Sequence, residues 1–270
     1  MTASVWINGR PERWIDVFDR GFQYGDGLFE TFLIRNGTPV LWEAHLARLR
    51  RGCERLALPM PDPGLLYDEA LRACAGVEAG VLKLQVTRGG GGRGYAPPRE
   101  VEATRVFSRH AMPPALSAWR QDGVRVRLCR TRLGINPALA GIKHCNRLEQ
   151  VLARLEWNDP TIHEGLMCDG EGFLVEATMS NVFWVRDSVV FTPGVDRCGV
   201  AGIVRDWVMH RLQAWGTTVR EARVRPAVLV QAEEVFLTNS VIGIVPVVAW
   251  EDRRWPVGPV TRRLQEAWRP

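Results

Sequence analysis

The sequence predicts an α+β protein made of two domains. Some segments alternate apolar and polar residues, as strands do, and others repeat apolar residues every three to four positions, as helices do. The two kinds of segment follow each other without regular strand–helix–strand alternation, which favours α+β over a parallel α/β fold. The length of 270 residues, 46% of them hydrophobic, is sufficient for two modest cores.

The domain boundaries follow from a proline-rich stretch near the middle of the chain. Two adjacent prolines, Pro113 and Pro114, are typical of an extended linker. We therefore predict a smaller N-terminal domain over residues 1–112, an inter-domain connector over 113–119 and a larger C-terminal domain over 120–270.

The N-terminal domain is predicted to begin with a strand over residues 5–7 and to continue with a β-hairpin. Asn36-Gly37 is a strong hairpin signal because both residues tolerate positive φ, and it separates strands over 28–35 and 38–42. The spacing of apolar residues predicts the remaining elements, which are helices over 43–56 and 64–76 and strands over 81–88 and 104–108.

The C-terminal domain is predicted to contain mainly short strands. A helix over 146–157 has an apolar face formed by Leu148, Val151, Leu152 and Leu155. The other predicted elements are strands over 124–129, 165–168, 173–176, 182–185, 189–192, 235–238 and 244–248, and a helix over 203–212.

Composition and spacing exclude several classes of protein. The formal net charge is +5, but the arginines are dispersed among acidic residues, so we expect no nucleic-acid partner. The most apolar stretch, residues 241–250, is too short to span a membrane. Six scattered cysteines without a Cys-x-x-Cys pair, and histidines without His-x-x-x-His spacing, predict reduced thiols and no metal site. The first residues lack a signal-peptide pattern, and we expect a cytoplasmic protein.

Chemistry that needs a side-chain amine has only two candidates, because 33 of the 35 basic residues are arginines. Lys83 lies mid-strand between leucines, so alternation predicts that it points to the solvent-facing side. Lys143 lies at a loop-to-helix junction, where desolvation and nearby cations would depress an amine's pKa. Such an amine is a nucleophile toward an aldehyde, although a structural lysine also fits this position.

Residues 88–95 form a glycine-rich segment with the sequence Arg-Gly-Gly-Gly-Gly-Arg-Gly-Tyr. The segment lacks the Gly-Lys-Ser/Thr ending of a phosphate-binding P-loop, and prolines rather than a helix pattern follow it. Two interpretations remain open. One is a flexible hairpin loop, and the other is a loop that brings Arg88 or Arg93 to an anionic substrate, since guanidinium groups pair with carboxylates.

A third feature runs from Glu176 to Arg205. Gly202 and Ile203 open a predicted helix, whose first backbone N–H groups form an anion site suited to phosphate. A carboxylate such as Glu176 keeps an adjacent heteroaromatic nitrogen protonated. A lysine, a carboxylate and a phosphate cradle are together what pyridoxal 5'-phosphate (PLP) requires of a protein, so this cofactor is predicted.

Several blocks of the chain resemble the class IV aminotransferases, a family of fold-type IV PLP enzymes. They are residues 19–31 (Asp-Arg-Gly-Phe-Gln-Tyr-Gly-Asp-Gly-Leu-Phe-Glu-Thr), residues 45–49 (His-Leu-Ala-Arg-Leu) and the segment 176–205. The blocks occur in the family's order, and the resemblance extends over residues 7–247. It implies the α+β two-domain fold of the D-amino-acid transaminases, with PLP between the domains and a homodimeric assembly.

Within the family, three blocks are most similar to the lyases that release pyruvate from 4-amino-4-deoxychorismate and leave 4-aminobenzoate, a step of folate biosynthesis. The blocks are residues 88–95, residues 143–149 and Asn239. This resemblance implies a small-molecule substrate with two carboxylates. It leaves open a D-amino-acid or (R)-amine transaminase, although such relatives carry Tyr where Phe29 stands and His where Tyr95 stands.

The resemblance also implies roles for residues around the cofactor. Lys143 would be the catalytic residue, first attached covalently to the cofactor and then acting as acid and base. Glu176 would pair with the pyridine nitrogen. The cofactor phosphate would be bound by a side chain, two backbone N–H groups and a hydroxyl, which belong to Arg48, Ile203, Val204 and Ser240.

For the substrate, the resemblance implies contacts from Phe29 and Asn239, and from Arg93 and Tyr95 on a loop of the partner subunit. Many relatives carry threonine where Val204 stands, so this chain lacks one hydroxyl of the phosphate site and keeps the backbone donor. A non-catalytic protein that binds an anionic metabolite remains an alternative, and it predicts no covalently attached cofactor.

Overall fold

The structure is a computed structural model that describes residues 4–269. The chain divides into two compact units, one comprising the chain up to Pro113 with Ile142–Asn146, and the other comprising Pro114–Gly141 and the chain from Arg147 onward. Each unit has its own β-sheet and its own helices. The predicted α+β organisation is therefore confirmed.

The first unit contains a five-stranded antiparallel sheet in the order β1-β5-β4-β2-β3. Its elements in chain order are β1 (Ser4–Ile7), α1 (Arg20–Tyr24), β2 (Gly27–Arg35), β3 (Thr38–Pro39), α2 (Trp42–Leu56), α3 (Pro63–Cys74), β4 (Ala79–Thr87) and β5 (Thr104–His110).

Strand alternation gives this sheet two different faces. In β2, Leu28 and Phe32 are buried in the core, where Phe32 stacks on Trp42 of α2. Phe29 points to the opposite face because neighbouring strand residues alternate. The register places Thr31 opposite Lys83, so Phe29 and Lys83 share that second face.

The second unit contains a nine-stranded mixed sheet in the order β11-β10-β9-β12-β13-β6-β7-β8, with β14 beside β13. Its elements are α4 (Leu116–Asp122), β6 (Val124–Leu133), α5 (Leu148–Arg154), β7 (Glu164–Asp169), β8 (Leu174–Ala177), β9 (Asn181–Arg186), β10 (Val189–Thr192), α6 (Ile203–Ala214), β11 (Val219–Glu221), a 3-10 turn (Pro226–Gln231), β12 (Glu234–Asn239), β13 (Gly243–Trp250), β14 (Arg253–Arg254) and α7 (Pro259–Ala267).

Both faces of the central strands in this sheet are buried, because neighbouring residues of one strand enter different cores. In β9, Trp184 belongs to the cluster that contains Val235 of β12. The preceding residue, Phe183, stacks on Phe236 with ring centroids 4.9 Å apart. Val204 joins this second cluster, so α6 is anchored against the sheet.

The connector predicted over residues 113–119 is partly helical in the structure. α4 begins at Leu116, whose side chain is buried. The tandem prolines lie before the helix, and the Trp119 N–H already donates to the Ala115 carbonyl at 2.9 Å. Residues after the prolines therefore keep the donors that a helix needs.

The helix predicted over residues 146–157 is shorter, and its apolar face is not covered within the chain. The Asn146 side-chain amide donates to the Gly25 carbonyl at 3.2 Å, and the chain becomes helical only from Leu148. Leu148 and Leu155 are 76% and 72% exposed, and Val151 and Leu152 are also exposed. The spacing predicted a helix correctly, but it did not distinguish a core face from a surface face.

Candidate active site

Lys143 is held beside β2 by backbone hydrogen bonds. The Phe29 N–H donates to the Lys143 carbonyl at 2.9 Å, and the Cys145 N–H donates to the Gly27 carbonyl at 2.9 Å. These contacts group Ile142–Asn146 with the first unit, whereas the sequence reasoning assigned Lys143 to the C-terminal domain. Their effect is to place Lys143 Nζ 4.5 Å from the centroid of the Phe29 ring.

Lys83 approaches the same ring, contrary to the expectation of a solvent-facing lysine. Its Nζ lies 5.1 Å from the Phe29 centroid, and the residue is half-buried. Alternation correctly placed Lys83 on the face opposite the core, but the Phe29 ring from the neighbouring strand covers it. The two lysines of the chain thus bring two ammonium groups to one aromatic ring.

Arg48 is fixed by a buried cluster that joins β2 to α2. Glu30 accepts a hydrogen bond from Arg48 Nε at 2.8 Å and a second from Arg48 Nη2. His45 Nδ1 lies 2.6 Å from Glu30 Oε2. All three side chains are almost fully buried, so the guanidinium group is held in one orientation.

The charges within this cluster follow from its pKa shifts. Burial raises the pKa of Glu30, but the charge and hydrogen bonds of Arg48 and the His45 hydrogen bond outweigh it and bring the pKa to about 2. Burial lowers the pKa of His45, and the hydrogen bond to Glu30 opposes that shift. The cluster is therefore an ionised Glu30 paired with Arg48, and a neutral His45 donates its Nδ1–H to Glu30.

Glu30→Gln is expected to destabilise the protein at neutral pH by about 3–5 kcal/mol, because it breaks a buried ion pair. The folded-state pKa of about 2 lies below the ordinary value of 4.5, so the Glu30 contribution is complete above pH 4.5 and is lost as the pH falls toward 2. Urea unfolding as a function of pH measures this. The difference in unfolding free energy between wild type and Glu30→Gln should narrow below pH 4.5. Glu12→Gln, at an exposed position, should have the unfolding free energy of wild type. A constant difference would contradict the assignment.

The two arginines of the glycine-rich segment have different environments. Arg88 is buried, and it donates to Asp26 at 2.7 and 3.1 Å and to the Leu56 and Ala57 carbonyls at 2.8 and 2.7 Å. Arg88 is therefore committed to the fold, which removes it as a substrate candidate. Arg93 is exposed on the loop.

In the second unit, Glu176 at the end of β8 holds the loop that leads into α6. The Val200 N–H donates to Glu176 Oε2 at 2.9 Å, and the Val200 carbonyl accepts from Asn181 Nδ2 at 2.9 Å. Gly199 adopts a φ of +84°, which turns the chain toward the carboxylate. Glu176 is buried, and its carboxylate fixes this loop at the Val200 N–H.

The N-terminus of α6 has the geometry of an anion site. The helix has 12 residues and begins at Ile203, and no side chain caps it at Gly202. A Cβ at Gly202 would overlap the Asn181 side chain, so glycine permits this close approach. The Val204 side chain is fully buried in the core, which explains how valine fits here while its backbone N–H stays at the helix start.

The same loop is bonded to the residue two positions before Lys143. The Gly141 N–H donates to the Gly199 carbonyl at 2.9 Å, and the Ala201 N–H donates to the Gly141 carbonyl at 3.1 Å. Within the second unit, Gly141 is therefore bonded to the loop that carries the Glu176 contact.

Asn239 uses its side-chain amide within the chain. Its Oδ1 accepts from the backbone N–H groups of Val241 and Ile242 at 2.9 and 2.8 Å, and its Nδ2 donates to the Met179 carbonyl and to Ser180 Oγ, both at 3.2 Å. These four bonds use both donors and both acceptor lone pairs of the amide. The predicted contact of Asn239 with substrate requires one of them to be exchanged.

Glu164, at the start of β7, binds the turn at residues 178–180, to which Asn239 also donates. The sequence analysis did not identify Glu164. Its carboxylate accepts from the Thr178 hydroxyl, from the Met179 N–H at 3.2 Å and from Ser180 Oγ at 3.2 Å. Burial raises the pKa of Glu164 and these hydrogen bonds partly offset the shift. Glu164 gave no sequence signal because its partners lie 14 to 16 residues away.

Neither a metal site nor a membrane span is found in the part of the chain that the structure describes. Across residues 4–269, His, Cys, Asp and Glu side chains form no group of three or more that could hold a metal ion. Over the same residues, each helix is too short or too polar to cross a bilayer.

The residues that the structure positions fit PLP. An amine lies against an aromatic ring, and a buried guanidinium is oriented by Glu30. In the second unit, an uncapped helix N-terminus follows a loop held by a buried carboxylate. An amine suits an aldehyde, a guanidinium group and helix N–H groups suit a phosphate, and a carboxylate accepts from a protonated pyridine nitrogen.

Comparison with known proteins identifies the family. The family model for amino-transferase class IV matches residues 27–250. The chain belongs to the class IV aminotransferase family. An aminodeoxychorismate lyase of Vibrio harveyi is 39% identical over 264 residues, which cover 96% of this chain and 97% of that protein.

Solved structures show the same architecture. The crystal structure of 4-amino-4-deoxychorismate lyase from Pseudomonas aeruginosa has 49% identity and a TM-score of 0.93, with 97% of each chain covered. The PLP-bound form of a hypothetical aminotransferase from Mycobacterium tuberculosis has the same fold, with 21% identity, a TM-score of 0.84 and coverage of 97% of this chain and 96% of that one. The fold-type IV architecture implied by the sequence blocks is confirmed, and the family binds PLP.

Proposed function

We propose that this class IV aminotransferase family member is a PLP-dependent lyase that converts 4-amino-4-deoxychorismate to 4-aminobenzoate and pyruvate. The observation that carries the proposal is the 49% identity to the Pseudomonas aeruginosa lyase over 97% of the chain. The 39% identity to the Vibrio harveyi lyase supports it. Lys143, whose Nζ lies 4.5 Å from the centroid of the Phe29 ring, supplies the amine that this chemistry needs.

When bound, PLP supplies an aldehyde for attachment to an amine and a ring that accepts an electron pair. We assign the attachment to Lys143, which the substrate amine would displace; its freed Nζ would then take the proton from the substrate carbon that bears nitrogen. Glu176 keeps the pyridine nitrogen protonated through its negative charge. Loss of the enolpyruvyl oxygen makes the substrate ring aromatic, which makes the step effectively irreversible.

We propose that four residues bind the cofactor phosphate, as the resemblance implies. Arg48 supplies a fixed guanidinium, Ile203 and Val204 supply backbone N–H groups at the α6 N-terminus, and Ser240 supplies a hydroxyl in the turn after β12. Glu30 acts on the phosphate only indirectly, because it orients Arg48.

Positive charge near Phe29 suits a substrate with two carboxylates. Lys83 Nζ lies against the Phe29 ring, and Arg93 is exposed on the glycine-rich loop. We propose that Lys83 and Arg93 bind carboxylates of the substrate, with Phe29 and Tyr95 as its apolar contacts, and that the loop carrying Arg93 and Tyr95 comes from the partner subunit. Phenylalanine at position 29 lacks the hydroxyl that a transaminase relative would carry there, which disfavours the D-amino-acid or (R)-amine transaminase alternative.

The exposed apolar face of α5 supports a homodimer. Leu148, Val151, Leu152 and Leu155 are all exposed in the single chain, and such a patch is typical of an interaction surface. We propose that a second copy of the chain covers it. Sedimentation should give twice the monomer mass of 30.4 kDa, and Leu148→Glu should shift the protein toward monomer. A monomeric wild type would contradict the proposal.

Conversion of the substrate tests the proposed function. The PLP-loaded protein is incubated with 4-amino-4-deoxychorismate, and 4-aminobenzoate is detected by fluorescence and pyruvate by a coupled assay. Equal amounts of the two products support the lyase. Amino transfer from D-alanine or an (R)-amine to a 2-oxo acid, without 4-aminobenzoate, would establish the transaminase instead. A purified protein with no covalently held cofactor would favour the non-catalytic alternative.

A further inference from the structure

A buried arginine outside the described site forms hydrogen bonds to the glycine-rich loop. Arg20 at the start of α1 is buried, and its Nη1 and Nη2 donate to the Gly94 and Tyr95 carbonyls, each at 2.9 Å. These acceptors are 74 and 75 residues away in the chain. One side chain therefore ties the far end of the loop to α1.

Arg20 is itself fixed from several directions. Its Nε donates to Asp26 Oδ2 at 2.9 Å, and Asp26 also accepts from Arg88 at the beginning of the loop. The Arg20 backbone N–H donates to the Gly89 carbonyl at 2.9 Å. Both ends of the loop, at 88–89 and 94–95, thus converge on Arg20 and Asp26.

The Arg20 side chain also packs against an aromatic ring and a glycine. Arg20 lies over the Tyr24 ring at 5.0 Å, and the Tyr24 ring meets the Tyr95 ring edge-on at 5.5 Å. The aliphatic part of Arg20 passes under Gly91, where a Cβ would approach Arg20 Cδ to 2.7 Å. A side chain at position 91 would therefore collide with Arg20, which explains why the position is a glycine.

The loop requires these contacts with Arg20 because glycine is conformationally permissive. Five of the six residues from 89 to 94 are glycines, so the free loop would lose much conformational entropy when it orders around a ligand. Arg93 is exposed and Tyr95 is 85% exposed, so burial of their side chains contributes little to the ordering of the loop. Fixing the loop in advance removes that cost from the binding step.

We propose that Arg20 is a positioning residue for the anionic substrate, because it fixes the glycine-rich loop so that Arg93 and Tyr95 are presented in one conformation. The kinetic part of this proposal rests on the proposed function. The ordering of the loop is a property of the protein alone, and it is tested without substrate.

Limited proteolysis of the PLP-loaded protein tests the ordering. Trypsin cleaves after Arg93 only when the loop can open, and mass spectrometry of the fragment ending at Arg93 gives the rate. We expect Arg20→Gln to increase that rate about 10- to 100-fold, which corresponds to the loss of charge-assisted hydrogen bonds. Arg109→Gln is the matched control, since it removes an arginine-to-carbonyl bond to Ala73 in the same unit and should leave the rate unchanged.

A second pair of variants avoids the risk that Arg20→Gln fails to fold. Gly91→Ala places a methyl group against Arg20, whereas Gly92→Ala adds the same methyl group where nothing lies within 4 Å. We expect faster cleavage after Arg93 in Gly91→Ala and an unchanged rate in Gly92→Ala. Equal rates in the two variants would overturn the proposal.

Steady-state kinetics tests the consequence for the substrate. Arg20→Gln and Gly91→Ala should raise KM for 4-amino-4-deoxychorismate about tenfold or more, with a smaller change in kcat and with PLP affinity unchanged. Loss of PLP binding together with activity would indicate a general structural role and overturn the proposal. A wild type that forms no 4-aminobenzoate would refute the proposed function, while the proteolysis result would still decide the role of Arg20.

Discussion

Lys143→Ala is expected to lower turnover by about 10⁴-fold or more, the scale of loss when a nucleophile and acid–base group is removed. It should also abolish the yellow colour of the holoprotein that borohydride reduces, because the amine that attaches the cofactor is removed. The fold should survive, since Lys143 is held through its backbone carbonyl, which accepts from the Phe29 N–H at 2.9 Å and is unchanged by the substitution.

Lys83→Ala is the matched control for the attachment of the cofactor. It removes the only other lysine of the chain, whose Nζ also lies against Phe29, at 5.1 Å. Borohydride reduction followed by peptide mapping should label Lys143 in the wild type and in Lys83→Ala, and no lysine in Lys143→Ala. A reducible chromophore that persists in Lys143→Ala would refute the assignment of the attachment site.

Local sequence rules predicted elements that depend on neighbouring residues. Asn36 and Gly37 adopt φ values of +48° and +74°, the conformation that makes this pair a hairpin signal. β2 and β4 (Gly27–Arg35 and Ala79–Thr87) fall close to the predicted strands because apolar alternation reports burial on one face.

Features that depend on distant contacts were not predictable in the same way. Arg88 lies in the glycine-rich segment, where its sequence position suggested a substrate ligand. In the structure its guanidinium group instead donates to Asp26 and to two carbonyls at the end of α2. Lys83 was placed on the correct face, but its contact with Phe29 depends on the register between two strands. The apolar stripe of α5 was visible, while its exposure depends on what packs against it.

The candidate site was predicted by a different route, because the roles of its residues came from a resemblance. The resemblance named Arg48 but gave no reason for its orientation, which Glu30 and His45 provide. It named Asn239 as a substrate contact, whereas the structure shows its amide bonded to two turns. A motif identifies the residues that touch a ligand, and the side chains that hold them in place are found only in three dimensions.

Glu176→Gln is the second substitution with a large expected effect, lowering kcat by about 10²–10³-fold, the scale for loss of a preorganised electrostatic contact. Glutamine keeps an acceptor for the Val200 N–H, which donates to Glu176 Oε2 at 2.9 Å, so the loop into α6 and the phosphate site should persist. The change removes only the negative charge that keeps the pyridine nitrogen protonated. We expect the colour and the PLP affinity to be retained more fully than kcat.

Glu164→Gln separates this electrostatic effect from the general cost of neutralising a buried carboxylate. Glu164 is also a buried carboxylate in the second unit and also accepts a backbone N–H, from Met179 at 3.2 Å, but it is bonded to a turn rather than to the loop of α6. Both variants should lose thermal stability, whereas only Glu176→Gln should lose kcat by two orders of magnitude or more. Equal losses of kcat in the two would mean that a loss of stability, and not the loss of the negative charge at Glu176, explains the effect.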